Sequence, residues 1–223
     1  MLRLLFGRMP CVLCDEDAGE SGFCAGCALS FRGALLSRYL PPIVLGGVPV
    51  FSAGLYSGSL GRYIRLLKGQ PAGRLPGVLR RPIDELVDHW SSEIASLEAD
   101  CIVPIPSGAL RVVSQTDLGS QLADRMARGL GRPVLWNALV TTIFRFDQKG
   151  LAPSERRRNA RFLAGRGRAL LGGRRILLID DVSTTGATLR AATLALEAAG
   201  ASVVGAWVLA RSDARRSPKL SSR

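Results

Sequence analysis

One segment constrains the fold more strongly than any other part of the chain: residues 176–189, which read ILLIDDVSTTGATL. An unbroken apolar run that ends in Asp180 and Asp181 is typical of a strand buried on both faces. The small residues that follow lead into an apolar pattern with helical spacing, so the segment predicts a strand, a loop and a helix. Strands of this kind belong to parallel sheets covered by helices on both sides.

Strand and helix patterns alternate along the rest of the chain. Strands are predicted at 50–56, 101–106 and 202–211, and helices at 59–69, 80–98 and 116–130. Pro82 is expected in the first turn of the second of these helices. The alternation predicts an α/β fold, in which a parallel sheet is flanked by helices.

The composition excludes several classes of protein. Of the 223 residues, 47% are hydrophobic and 22% are charged, which suffices for a core and excludes a wholly disordered chain. No apolar run reaches the length of about 18 residues that a membrane-spanning helix requires. The first residues, MLRLLFGRMPC, contain Arg3 and Arg8 and lack the apolar stretch of a secretory signal. A soluble, cytoplasmic protein without a membrane span is therefore expected.

The chain is strongly basic, with 30 lysine and arginine residues, 18 aspartate and glutamate residues and a net charge of +12. Such a charge complements phosphate groups, whether in nucleotides or in nucleic acid. Only Lys68, Lys149 and Lys219 are lysines, so a coding bias towards arginine is the alternative explanation. The charge by itself leaves both explanations open.

Four of the five cysteines form two C-x-x-C pairs, Cys11 with Cys14 and Cys24 with Cys27. Paired C-x-x-C sequences place four thiolates around one tetrahedral zinc ion, in a closed structural site. A module this small normally needs such a metal, because it cannot form a hydrophobic core of its own. Two disulfides or unrelated thiols are the alternative. The fifth cysteine, Cys101, is predicted to be a buried strand residue.

The domain organisation follows from these patterns. We expect a zinc-finger module at 1–40, a Pro- and Gly-rich linker at 41–49, the α/β domain at 50–211 and a basic disordered tail at 212–223.

The residues after the acidic pair are suited to bind a phosphate. They are Ser183, Thr184, Thr185, Gly186, Ala187 and Thr188. Backbone N–H groups at the start of a helix form an anion site with the threonine hydroxyls, and Gly186 lets the main chain approach the anion. Asp180 and Asp181 would repel a phosphate, so they must face hydroxyl groups or a divalent metal. A ribose with a 5′-phosphate satisfies both requirements, while an ordinary strand, turn and helix with capping aspartates is the alternative.

This segment resembles the phosphoribosyl pyrophosphate (PRPP) motif of type I phosphoribosyltransferases, in which an acidic pair is followed by T-T-G-x-T. With the four cysteines before it, the chain is similar to the ComF family of competence-associated proteins. The likeness extends to Lys68-Gly69, to Asp100-x-x-x-Pro104-x-Pro106 and to residues 148–162. It departs at residues 114–118, which read SQTDL where such proteins usually carry an Arg-Gly-aromatic-Asn-Gln stretch.

The resemblance implies a type I phosphoribosyltransferase-like domain behind an N-terminal zinc module. It implies catalytic roles for Asp180 and Asp181, PRPP binding by residues 183–188, a structural Zn²⁺ and a Mg²⁺ that binds together with PRPP. It also implies that Lys68 and Gly69 belong to a pyrophosphate loop, with an ordinary helix C-terminus as the alternative.

A run of arginines completes the implied site. Arg156, Arg157 and Arg158 are expected in a mobile loop that closes over pyrophosphate, and a solvated helix face is the alternative.

The implied function is binding of PRPP or another phosphoribosyl ligand, used in handling single-stranded DNA during natural transformation. Single-stranded DNA and competence helicase-type proteins are the implied partners, with a nucleic-acid site centred on the arginine run and the zinc module. The alternative function is an active phosphoribosyltransferase of nucleotide metabolism or salvage, unrelated to DNA uptake. The acceptor substrate is not identified by any motif.

Overall fold

A five-stranded sheet organises the chain in the computed structural model, which describes residues 10–14, 16–18, 22–35, 40–70, 77–106, 117–141 and 162–212. The strands are β1 (Ile43–Leu45), β2 (Val48–Ser52), β3 (Cys101–Pro104), β4 (Leu139–Thr141), β5 (Phe162–Ala164), β6 (Arg175–Ser183) and β7 (Ser202–Arg211). The helices are α1 (Ala25–Leu35), α2 (Gly58–Lys68), α3 (Gly77–Ile94), α4 (Leu118–Leu130) and α5 (Ala187–Glu197). Short 3-10 helices lie at Ala95–Leu97 and Arg166–Leu170.

The strand order in the main sheet is β1-β2-β7-β6-β3. Strands β2, β7, β6 and β3 are parallel, and β1 pairs antiparallel with β2 at one edge. A second, two-stranded antiparallel sheet is formed by β4 and β5. The predicted α/β fold with a parallel sheet flanked by helices is thus confirmed, with an antiparallel strand added at one edge.

Helices cover both faces of the main sheet because successive strand residues point to opposite sides. On one face, Leu177, Ile179 and Trp207 pack with the apolar sides of α2, α3 and α4. On the other face, Ile176 and Leu178 pack with residues of α5. This burial on both sides explains why β6 is an unbroken apolar run. None of the helices among the described residues is long and apolar enough to cross a membrane.

The segment predicted as a linker, residues 41–49, supplies β1 and the start of β2 instead. The two strands join through Gly46 and Gly47, whose φ angles are +66° and +92°. A Gly-Gly pair between two short apolar runs is typical of a two-residue hairpin turn, so the sequence does contain a signal for this hairpin. The domain boundaries themselves stay a prediction.

The prediction that Pro82 lies in the first turn is wrong, since α3 begins at Gly77 and contains Pro82 in its interior. The missing N–H of Pro82 removes one backbone hydrogen bond from the helix. Leu79 is buried on the same side as Ile83, so the apolar face of α3 extends to residues before the proline. Burial of that face stabilises the longer helix.

Candidate functional site

The acidic pair lies at the carboxyl end of the main sheet. Pairing of β6 with β3 ends at Ile179, opposite Pro104, whereas pairing with β7 continues to Ser183, opposite Arg211. The sequence indicated that strand β6 ends at the acidic pair. In the structure the strand continues through this pair to Ser183. Asp180 and Asp181 are partly buried just past the end of β3. In open α/β sheets, ligands bind in this crevice outside the carboxyl ends of the strands.

A lysine from a distant helix faces the acidic pair. The Nζ of Lys68, at the end of α2, lies 2.9 Å from Oδ1 of Asp181. The backbone N–H of Asp181 donates a hydrogen bond of 2.8 Å to Oδ1 of Asp180. Lys68 is thus brought to the predicted site. Its neighbour Gly69 has a φ of −81°, so the end of α2 does not require a glycine.

The site carries more negative charge than Lys68 offsets. Burial raises the pKa of Asp180 to about 7, and the charges of Asp181 and Asp117 act in the same direction, against the hydrogen bond from Asp181 and the charge of Lys68. A carboxylate in this environment gains from a hydroxyl donor or a cation. The electrostatics therefore fit a ligand that brings hydroxyl groups or a metal to the acidic pair.

Asp117 was not identified as a site residue from the sequence. It is the N-cap of α4, and its side chain accepts hydrogen bonds from the backbone N–H of Ser120, at 2.9 Å, and from its hydroxyl, at 3.0 Å. Its position directly before a helical apolar pattern is an N-cap signal. Only the fold places this cap close enough to Asp180 to affect its pKa.

The small-residue loop leads into α5 at the same edge of the sheet. Thr184 and Thr185 are exposed, and Oγ1 of Thr185 accepts a hydrogen bond of 3.4 Å from the backbone N–H of Ala187. Gly186 is the N-cap and has no side chain to bond the next N–H groups of the helix, and the first turn contains no acidic residue. Ser183 is buried, and its Oγ has no hydrogen-bond partner among the described residues. Uncapped N–H groups and nearby hydroxyls are suited to bind an anion.

Gly186 has two structural reasons for lacking a side chain. Its φ is +72°, a left-handed conformation that other residues rarely adopt, and a Cβ atom there would lie 2.9 Å from Cβ of Leu45. Leu45 belongs to β1, so the loop packs directly against the edge hairpin. The sequence indicated that Gly186 lets the main chain approach an anion. In the structure, the group that lies close to Gly186 is the side chain of Leu45.

We expect Gly186→Ala to lower the free energy of unfolding by about 1–3 kcal/mol, since it combines left-handed strain with a steric clash. Gly173→Ala is the matched control, because Gly173 has the same φ of +72° but nothing within 4 Å of its would-be Cβ. Urea unfolding of both variants measures the difference, which isolates the contact with Leu45. Equal losses would contradict the role of this contact.

The arginine run lies outside the described residues. The predicted roles of Arg156, Arg157 and Arg158 therefore stay predictions, as does the effect of the departure at residues 114–118, of which 114–116 also lie outside the described residues.

The four paired cysteines come together in space. The Sγ atoms of Cys11, Cys14, Cys24 and Cys27 all lie within 4.8 Å of one another. The sulfur of Cys14 is 3.5 Å from that of Cys24 and 3.3 Å from that of Cys27. Tetrahedral zinc with bonds of about 2.3 Å places its sulfur ligands about 3.8 Å apart. The cluster thus fits one zinc ion, and all five cysteines are free, which removes the disulfide alternative in this structure.

Backbone hydrogen bonds to two of the sulfur atoms favour binding of a metal by the cluster. The N–H of Leu13 donates to Sγ of Cys11 at 3.4 Å, and the N–H of Cys27 donates to Sγ of Cys24 at 3.3 Å. Burial alone would raise the pKa of Cys11, but hydrogen bonds from the backbone of Cys24 and Leu13 lower it to about 7. Contact with the sulfur of Cys14 raises the pKa of Cys27 to about 12. Four adjacent thiols cannot all ionise without a cation, so the donor set is one that a bound cation would complete.

Comparisons with known proteins agree with this architecture. The family model of the phosphoribosyl transferase domain matches residues 80–222. Competence protein F of Haemophilus influenzae is 32% identical over 118 residues. That match covers 50% of this chain and 50% of the relative, so the chain spans about half the length of this curated protein.

One solved structure, the purine phosphoribosyltransferase from Pyrococcus horikoshii Ot3, is similar over 60% of this chain and 84% of its own, with 16% identity and a TM-score of 0.39. Since the family model matches well over half of the chain, the protein belongs to the phosphoribosyl transferase domain family. The cysteine cluster and the likeness to Competence protein F support a protein of the ComF type.

Proposed function

We propose that the carboxyl edge of the main sheet binds PRPP or another phosphoribosyl ligand. One observation carries this proposal: the acidic pair and the uncapped start of α5 lie on either side of a single loop, within a phosphoribosyl transferase domain. The N–H groups and hydroxyls of residues 183–188 would hold the 5′-phosphate. Asp180 and Asp181 would accept hydrogen bonds from the ribose hydroxyls.

Lys68 would serve the pyrophosphate end of the ligand. Its ammonium group already lies beside Asp181, and its side chain is 43% exposed, so it can reach a ligand without a change in the helix. Mg²⁺ would bind between the acidic pair and oxygens of the ligand, since carboxylate oxygens are ligands that it prefers. When bound, this ion would neutralise charge on the leaving pyrophosphate. Among the described residues, only the cysteine cluster brings three metal-binding side chains this close, so the ligand would complete the magnesium site.

Transfer to an acceptor is the second step of the proposal. A nucleophile would displace pyrophosphate at C1 of the ribose, and the chain would contribute by positioning and electrostatics. The alternative within the same site is binding without turnover.

A thermal-shift assay with PRPP and Mg²⁺ tests the binding step, and pyrophosphate release across candidate bases separates turnover from binding alone. A ligand at 100 times its Kd stabilises the fold by about 2.7 kcal/mol, which corresponds to a Tm increase of about 5–10 °C here. Ribose 5-phosphate and pyrophosphate, added separately, show which end of the ligand contributes. An unchanged Tm at millimolar PRPP would contradict the proposal.

We also propose that the protein handles single-stranded DNA in the cytoplasm during natural transformation, with competence helicase-type partners. The net charge of +12 and the likeness to Competence protein F support this role. Fluorescence anisotropy of a labelled oligonucleotide across a salt series tests it, because neutralised phosphates give a slope of about 0.7 each in log affinity against log salt. No detectable binding at about 0.1 M salt would contradict it.

A further inference from the structure

Helix α2 carries a row of positive charge. Arg62, Arg65 and Lys68 follow one another at intervals of three residues and are all exposed, while the opposite side of the helix is buried in the core. Residues three apart are neighbours on a helix surface. The sequence of α2, GSLGRYIRLLK, contains no acidic residue. Among the described helices, α2 is the only one with three cations and no carboxylate.

The first two of these cations have no carboxylate partner among the described residues, since none of the ion pairs there involves Arg62 or Arg65. Other helix arginines differ: Arg81 pairs with Glu85 at 3.0 Å, and Arg128 pairs with Asp124 at 2.7 Å, both across one helical turn. The charges of Arg62 and Arg65 are thus available to a partner, whereas Lys68 pairs with Asp181 and much of the charge on α3 and α4 is also paired. A general excess of arginine does not account for this difference.

The row of cations lies between the cysteine module and the candidate phosphoribosyl site. Near its start, the hydroxyl of Ser59 lies 2.7 Å from that of Ser30, next to the cysteine module. At its end, Lys68 lies 2.9 Å from Asp181 of the phosphoribosyl site. At about 1.5 Å of rise per residue, the row is roughly 9 Å long from Arg62 to Lys68.

We propose that the exposed face of α2, defined by Arg62 and Arg65, binds the phosphate backbone of a single-stranded nucleic acid and guides it towards the phosphoribosyl site. The charge complementarity selects a polyanion. The narrow row selects a single strand, because a duplex presents two backbones across a groove about 12 Å wide and is usually held by about 6–10 phosphate contacts. This inference rests on the proposed handling of single strands and places part of the contact surface outside the arginine run.

The test compares two double variants that remove the same charge from different places. We expect Arg62→Ala/Arg65→Ala to reduce the salt slope for a labelled single strand by about 1.4 and the affinity at 0.1 M salt by on the order of 10-fold. The control, Arg81→Ala/Arg128→Ala, removes two exposed arginines that are already paired and is expected to change both quantities by less than half as much. Arg62→Lys/Arg65→Lys keeps the charge and is expected to restore the slope, which separates an electrostatic loss from misfolding. PRPP binding to all three variants, measured by calorimetry, is expected to be unchanged.

The possible outcomes distinguish the α2 surface from the proposed handling of single strands. Equal losses in the two alanine variants would overturn the α2 surface while single-strand handling stands, since net charge alone would then explain binding. No binding by the unaltered protein would overturn both. Tighter binding to the matching duplex, or equal competition by polyglutamate at the same charge concentration, would overturn the assignment to a single strand. Preferential single-strand binding that is lost only in the α2 alanine variant supports the inference.

Discussion

Replacing Asp180 by asparagine is expected to stabilise the ligand-free protein at pH 8 and to weaken its binding of PRPP. The two effects have opposite signs because the carboxylate is unfavourable in the empty site and useful to the ligand. Removing a hydrogen-bond acceptor of this kind costs about 1–3 kcal/mol, a loss of roughly 5- to 150-fold in affinity. Calorimetric titration with PRPP and Mg²⁺ measures it.

The effect of Asp180→Asn on stability depends on pH, and the raised pKa of Asp180 sets its direction. The folded protein holds the pKa of Asp180 at about 7, above the ordinary value of 3.8, because of burial and the charge of Asp181. Between these two values, the folded state binds more protons than the unfolded state, so stability falls as pH rises from about 4 to 7. Asp180→Asn lacks this titration. It should exceed the unaltered protein in Tm by about 2–10 °C at pH 8 and match it near pH 4.

Two controls separate this effect from a general change in charge. Asp181→Asn removes both the partner of Lys68 and one of the charges that raise the pKa of Asp180, so it should also weaken PRPP binding, with a smaller gain in Tm at pH 8 than Asp180→Asn. Asp124→Asn removes an exposed carboxylate on α4 and should leave PRPP binding unchanged. Unaltered PRPP affinity in both Asp180→Asn and Asp181→Asn would mean that the acidic pair is structural only.

Loss of metal from the cysteine cluster is expected to unfold residues 11–27 while the main sheet persists. Structural zinc contributes about 10–16 kcal/mol to the folding of small zinc modules, more than the few apolar contacts of this module can supply. Those contacts include the packing of Val12 and Leu13 on the large core and the contact of Phe23 with Tyr63, whose ring centres are 6.3 Å apart. The strands of the sheet depend on their own core and should remain folded.

Elemental analysis should find one zinc ion per chain. After chelation, hydrogen exchange should accelerate at the amides of Leu13 and Cys27, which donate to cysteine sulfurs, and should stay slow in β6 and β7. Cys14→Ser should reproduce the effect of the chelator. Cys101→Ala, a change at a buried cysteine of β3 outside the cluster, should keep the metal. A metal content near zero, with all four thiols reduced and unmodified, would contradict a zinc site.

Much of the architecture is encoded locally and could be predicted. The spacing of Leu60, Ile64 and Leu67 predicts a helix with one apolar side, and all three residues are buried in α2. The apolar run before Asp180 predicts a strand covered on both faces, and β6 contributes buried residues to the core on each side of the sheet. The C-x-x-C spacing likewise predicts the cysteine cluster. These features depend on residues a few positions apart, whose relative directions are set by helix and strand geometry.

The composition of the candidate site was decided by the tertiary structure. Lys68 and Asp181 are 113 residues apart in the chain, and their contact exists because α2 ends at the edge where β6 carries the acidic pair. Asp117 raises the pKa of Asp180 only because α4 starts beside the end of β3. Gly186 meets Leu45 because the edge hairpin packs against the loop. Local patterns in the sequence indicated most of the helices and strands, although not all of their bounds, and the residue types that could bind a phosphoribosyl ligand. Which charges face each other depends on strand order and on how the helices dock against the sheet, and no local periodicity encodes either.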